Sequence, residues 1–222
     1  MHTDFQAIIF DMDGLLVDSE VVWHIAETDL IESRGHVYTD AAREAIIGMR
    51  MDEFMLVLRD LFKLEDSVED LMDELIGKML KLIPEKVEEK PGATPLLNYV
   101  VEQEIPFALA SSSSMSIINA IVESQGWGDI FKHRFTADDD PRGKPAPDVY
   151  LRTARSLGYD PMRCLALEDS PNGARAAVAA GMTCYAVPDT SHTAFDAFHE
   201  ITPHTFDTLH DVLGRLKNLN HI

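Results

Sequence analysis

The strongest constraint on this chain is the way its first apolar run ends. Residues 6–10 read QAIIF, and the run breaks at once into Asp11, Asp13 and Gly14. A short apolar run closed by acidic residues and a glycine is the pattern of a buried strand that feeds a functional loop. The next segment has a different period. From Ser19 to about Lys90 the apolar residues recur at helical spacing, with helices expected over 20–34, 40–47 (ending at Gly48), 51–62 and 68–82, the last resuming after Pro84. No strand is expected in this stretch, which has the size of a small helical bundle.

After Pro91 and Gly92 short apolar runs alternate with helical stretches. Strands are expected over 106–110, 133–137, 164–167 and 183–187. Helices are expected over 117–125, 148–157 and 172–180. Strands alternating with helices specify an α/β fold: a parallel sheet with helices on both faces. The first strand belongs in that sheet, so the helical block is an insertion. The expected division is 1–16 with 88–222 as the sheet domain and 17–87 as the helical one. The tail over 217–222 is expected to fray.

Composition limits the partners. Of 222 residues, 45% are hydrophobic and 26% charged, as in soluble globular proteins. The formal net charge of -19 repels a phosphate backbone, which argues against nucleic acid. The same charge opposes a phosphate ester, so a phosphate site here needs a local metal or lysine. Cys164 and Cys184 sit in apolar runs and read as core residues. No basic-then-apolar leader and no apolar run near the ~20 residues of a membrane helix occur. The expectation is a cytoplasmic protein with no membrane partner.

In open parallel sheets ligands bind beyond the carboxyl ends of the strands. Asp11 and Asp13, the serines 111–114, and Glu168 with Asp169 all fall at such ends, and Lys144 lies in the loop GKPAPD before a helix. Mg²⁺ takes oxygen ligands, a few of them carboxylates. Asp11 and Asp169 could supply these, and Asp13 a main-chain carbonyl. The metal and Lys144 would offset the repulsion between a carboxylate nucleophile and a phosphate dianion. Asp11 would then form an aspartyl-phosphate, Asp13 would serve as acid and base, and Ser111 would donate to a phosphate oxygen. The serine run opens a helix whose free N–H groups favour anions. The chain contains no GxxxxGK[ST], no GxGxxG after a strand and no HExxH.

Taken together, FDMDGLLVDSE, ALASSSS, GKPAPD and LALEDSPNG resemble the four motifs of the haloacid dehalogenase superfamily, in order and over nearly the whole chain. The chain is most similar to the β-phosphoglucomutase-like branch that includes sugar-phosphate phosphatases. The resemblance implies a Rossmann-like core with a helical cap of four or five helices. It makes Asp11 the nucleophile and Asp13 the acid/base, with Ser111 and Lys144 on the phosphate. It gives Mg²⁺ to Asp11, Asp13 and Asp169, with Glu168 supporting directly or through water. Ser112, Ser113, Arg50 and Glu20 are expected on the substrate, with Trp23 in the same cleft. The implied substrate is a small phosphate ester, a hexose or deoxyhexose phosphate, and the implied state is a monomer.

Asp13 argues against dehalogenase and phosphonate hydrolase chemistry, whose family members lack it. Family mutases carry a histidine where this chain has Trp23. His24 is one residue on, turned by about 100° on a helix. Water is therefore the expected acceptor, with β-phosphoglucomutase activity as the alternative.

Overall fold

The structure, a computed structural model, describes residues 5–46, 49–189 and 194–219. Its elements are β1 (Ala7–Phe10), β2 (Val17–Asp18), α1 (Glu20–Glu32), α2 (Asp40–Glu44), α3 (Met51–Phe62), α4 (Val68–Lys86), β3 (Glu88–Glu89), α5 (Ala93–Glu102), β4 (Phe107–Ser111), α6 (Met115–Ser124), β5 (Arg134–Thr136), α7 (Asp148–Leu157), β6 (Cys164–Glu168), α8 (Pro171–Ala179), β7 (Thr183–Ala186) and α9 (Leu209–Leu219).

Five strands form one parallel sheet in the order β5-β4-β1-β6-β7. The expected α/β architecture is present. β1 lies at the centre, with Ile9 opposite Ala108 on one side and Ala166 on the other. Its four residues are buried because both faces are covered. Alternation along the strands sorts side chains by size. Ile8, Phe10, Leu109, Leu165, Leu167 and Tyr185 face the layer that holds α5, α6 and α9. Phe10 meets Phe107 and Phe131 edge-on at about 6 Å in that layer. Ala7, Ile9, Ala110, Cys164, Ala166 and Ala186 face α7 and α8, where Ala174, Ala176 and Ala177 complete a small-residue seam. Both cysteines are buried and free.

The helices α1 to α4 lie between β2 and β3. Leu71, Leu75, Met79 and Ile83 repeat every four residues along α4 and are fully buried, and burying each aliphatic side chain is worth roughly 1.5–3 kcal/mol. α4 packs on α1 and α3 within the block and on α6 of the sheet domain.

Several details differ from the sequence reading. The block is not strand-free: Val17–Asp18 pairs antiparallel with Glu88–Glu89, tying together the two chain crossings. Two-residue strands carry no detectable period. α4 continues through Pro84 to Lys86. α5 and α9 are additional helices. Pro95 is the third residue of α5, where a backbone N–H has no partner within the helix. Gly92 opens α5 at φ +94, and a Cβ there would lie 2.6 Å from the His210 nitrogen at the start of α9. Residues 217–219 close α9 rather than fray, while 220–222 lie outside the described residues. α2 closes at Glu44; its expected end at Ile47 and Gly48 also lies outside them.

Candidate active site

The site grows from the carboxyl edge of the sheet. The Asp11 N–H donates to Leu167 O at 3.0 Å, extending the β1–β6 ladder by one residue and fixing Asp11 over the edge. Gly14 follows at φ +75, and a Cβ there would sit 2.1 Å from Asp169 Oδ2. A glycine is therefore required for the loops after β1 and β6 to meet.

Lys144 lies 2.5 Å from Asp11 Oδ1 and 2.7 Å from Glu168 Oε1, and also donates to Ala110 O at the end of β4. All three charged groups are buried. Glu168 is fully bonded. Oε1 accepts from Lys144 and Tyr150, and Oε2 from the N–H groups of Asp169 and Ser170 and the Ser170 hydroxyl. This carboxylate, from the last residue of β6, packs against the first turn of α8, where a Cβ on Gly173 would lie 1.8 Å from Oε1. The helix N-terminus favours the negative charge.

Burial pushes the Asp11 carboxyl up to about 8; Lys144 opposes the rise, and the charges of Glu168 and Asp13 add to it. Burial, with Glu168 and Asp11 nearby, raises Asp169 well above the carboxylate range. Burial alone would lower Lys144, but Asp11 and Glu168 outweigh it and hold the ammonium above the usual lysine range. Asp11, Glu168 and Asp169 bring carboxylate oxygens within 4.8 Å of one another. Hard oxygen donors crowded against their own repulsion fit a divalent cation such as Mg²⁺.

Asp13 is oriented differently. Its carboxylate accepts from Ser19 at 2.6 Å, Ser113 at 2.8 Å, Ser111 at 3.1 Å and the Trp23 indole at 3.4 Å. The side chain of this expected metal ligand is thus turned away from the acidic cluster, which leaves a main-chain contribution. The hydroxyl of Ser111 is likewise directed at Asp13, and it accepts the Ser113 N–H at 2.9 Å.

The inserted helices roof these groups over a cavity of about 110 Å³ that is partly open to solvent. Of the residues singled out in the sequence, Asp11, Asp13, Lys144, Asp169, Ser112 and Ser113 line its floor, and Glu20 and Trp23 its roof. Arg50 is a correction: it is not among the lining residues. Its guanidinium is held by Asp52 at 2.6 and 2.7 Å and donates to the carbonyls of Ala137 and Asp140 at 3.3 and 2.9 Å, bridging α3 to the loop after β5. His24 points elsewhere, its ring tilted against Tyr38 at 6.1 Å with its Nδ1 buried and unbonded.

The structure adds lining residues that sequence reasoning missed, chiefly Glu27, Arg43 and Asp189. Glu27 was detectable: Glu20, Trp23 and Glu27 fall at i, i+3 and i+7, one face of α1. Arg43 comes from α2 and bonds Glu20 Oε2 at 2.7 Å, a pairing no spacing announces.

The model for haloacid dehalogenase-like hydrolases matches residues 5–181. The chain is 36% identical over 191 residues to hexitol phosphatase B of Escherichia coli (strain K12), covering 82% of this chain and 83% of that protein. It is 29% identical over 177 residues to a phosphorylated carbohydrates phosphatase of Thermotoga maritima, covering 80% and 82%. A crystal structure of β-phosphoglucomutase from Clostridium difficile superposes with a TM-score of 0.81 at 21% identity, covering 98% of each chain; at that identity the likeness concerns fold alone.

Proposed function

This chain belongs to the haloacid dehalogenase-like hydrolases and is a phosphatase, and from that premise we propose that it hydrolyses the monophosphate of a small sugar or sugar alcohol through an aspartyl-phosphate on Asp11. The observation that carries the reading is the pairing of Asp11 with Lys144 at 2.5 Å on the floor of a small roofed cavity. Its 110 Å³ is well below the roughly 300–1,000 Å³ of pockets that take drug-sized ligands, which favours a compact ester.

In the first step an Asp11 oxygen attacks phosphorus, and the bond to the ester oxygen breaks. Asp13 gives its proton to that leaving oxygen. In the second, Asp13 takes a proton from water, whose oxygen displaces Asp11 and frees inorganic phosphate. Lys144 neutralises Asp11 and, with Ser112, would bind the phosphoryl oxygens; Ser111, expected there from the sequence, is fully buried, gives its hydroxyl proton to Asp13 and is not among the lining residues. Ser19, Ser111 and Ser113 keep Asp13 aimed at the cavity. A bound Mg²⁺, held by Asp11, Asp169 and the Asp13 carbonyl, would offset charge between nucleophile and phosphate. Glu168, with both oxygens already bonded, would support it indirectly. Residues 17–87 would serve as the cap, shutting out bulk water over a core of 1–16 and 88–222.

Trp23 supports water as acceptor over a second sugar phosphate. Its indole N–H reaches Asp13, where it can donate a hydrogen bond but cannot carry a proton as a histidine would. The test is phosphate release from a panel of sugar and sugar-alcohol phosphates with Mg²⁺. Asp11→Asn is expected to lose at least about a thousandfold in kcat, and chelation of the metal should abolish turnover. Equal release by wild type and Asp11→Asn would reject the mechanism.

A further inference from the structure

We propose that Glu27 reads the non-phosphate end of the substrate, accepting a hydrogen bond from a substrate hydroxyl and turning away esters that carry a second anionic group. This rests on the phosphatase reading above and assigns a specificity-determining residue to the same site.

Glu27 sits on the cavity face of α1, one turn beyond Trp23, and is 5% exposed. Tyr38 donates to its Oε2 at 2.8 Å. The Tyr38 ring is flanked by His24 and Phe62, tilted against it at 6.1 and 6.4 Å between centroids. A carboxylate can accept about four hydrogen bonds, and Tyr38 is the donor to Glu27 among the described residues. Ile46, Met49 and Phe54 also line the cavity and offer no donors from their side chains. A carboxylate so placed is costly until donors reach it. Burial, moderated by the Tyr38 bond, pushes Glu27 up to about 7, in keeping with a group short of partners. The hydroxyls of a sugar or sugar alcohol are the donors such a group lacks, and the apolar wall suits a carbon chain.

The charge balance excludes a second phosphate. Among the described lining residues six are acids (Asp11, Asp13, Glu20, Glu27, Asp169 and Asp189) and two are bases. Lys144 stands on the floor, paired with Asp11 and Glu168 and assigned to the transferred phosphate, so it is not available to a second one. Arg43 is committed to Glu20, bonding its side chain at 2.7 Å and its carbonyl at 3.1 Å. An anion at the roof would face Glu20 and Glu27 with no uncommitted cation beside it.

The experiment measures kcat/KM with Mg²⁺ for glucitol 6-phosphate, n-hexyl phosphate, glucose 1,6-bisphosphate and acetyl phosphate. Wild type is expected to prefer glucitol 6-phosphate by at least about tenfold over both hexyl phosphate and the bisphosphate. Glu27→Leu should reduce the first preference about tenfold, mainly through KM. Glu27→Gln, which keeps an acceptor for Tyr38, should reduce the second by a similar factor. Preferences in both variants within about twofold of wild type would overturn the proposal. If neither variant folds, the wild type decides: equal use of hexyl phosphate and glucitol 6-phosphate overturns it. Failure to hydrolyse any ester, acetyl phosphate included, would reject the phosphatase reading itself and the inference with it.

Discussion

At the floor of the cavity, charged side chains leave strand ends and adjoining loops and are locked to one another by buried bonds; at its roof, polar side chains leave helix faces and pair between neighbouring helices and loops. Lys144, Glu168 and Asp11 form a closed set in which a change to one member exposes the others. Glu27 has Tyr38, and Glu20 is joined to Arg43. The floor is therefore rigid and chemically fixed, whereas the roof can change side chains without dismantling the reaction.

The comparison predicts that floor variants damage kcat or folding and roof variants damage KM. The largest effect is expected for Asp13→Asn, which keeps an acceptor on the side of Ser19 or of Ser113 but not both, and cannot shuttle a proton. Its kcat should fall about 10²–10⁴-fold with little change in melting temperature. A KM effect alone would place Asp13 in binding instead. Lys144→Met leaves two buried carboxylates without their cation, and urea denaturation should show a loss of about 3–5 kcal/mol.

The roof should respond differently to pH. Burial raises Glu27 from 4.5 to about 7, with Tyr38 and Arg43 opposing the rise and Glu20 adding to it. For an acid whose folded pKa is raised, stability is greatest below the unfolded value and falls as pH climbs to the folded one. Wild type should therefore lose roughly 2–3 kcal/mol relative to Glu27→Gln between about pH 4.5 and pH 7. Parallel stability curves for the two proteins would show that Glu27 is already satisfied. The smallest effect is expected for Arg50→Ala, which removes the bridge to Ala137 and Asp140. A stability loss of about 1–2 kcal/mol with KM unchanged would support a bridging role, and a large KM rise would return Arg50 to the substrate.

Most of the floor was legible before the fold was known. Asp11, Asp13, Lys144, Glu168 and Asp169 lie next to apolar runs or glycines that mark strand ends and turns, and short-range order along the chain is enough to find them. Their orientation was not legible. Asp13 faces the hydroxyls of Ser19, Ser111 and Ser113 and not the acidic cluster, because residues from three separate segments converge on it. α5 escaped notice through Pro95, which is harmless only because of its place in the first turn. α9 did show apolar spacing, at Leu209, Val212, Leu213 and Leu216, that marks one helix face.

By itself the sequence determined the α/β class, the helical insertion and which carboxylates stand at the sheet edge, because strand and helix periods and glycine-marked turns are local properties of the chain. Tertiary structure alone decided that Arg50 bridges the loop after β5, that Arg43 meets Glu20 and that Glu27 looks into the cavity beside Tyr38. Those pairings join separate elements, and their geometry depends on how the helices dock, which no spacing within one segment encodes.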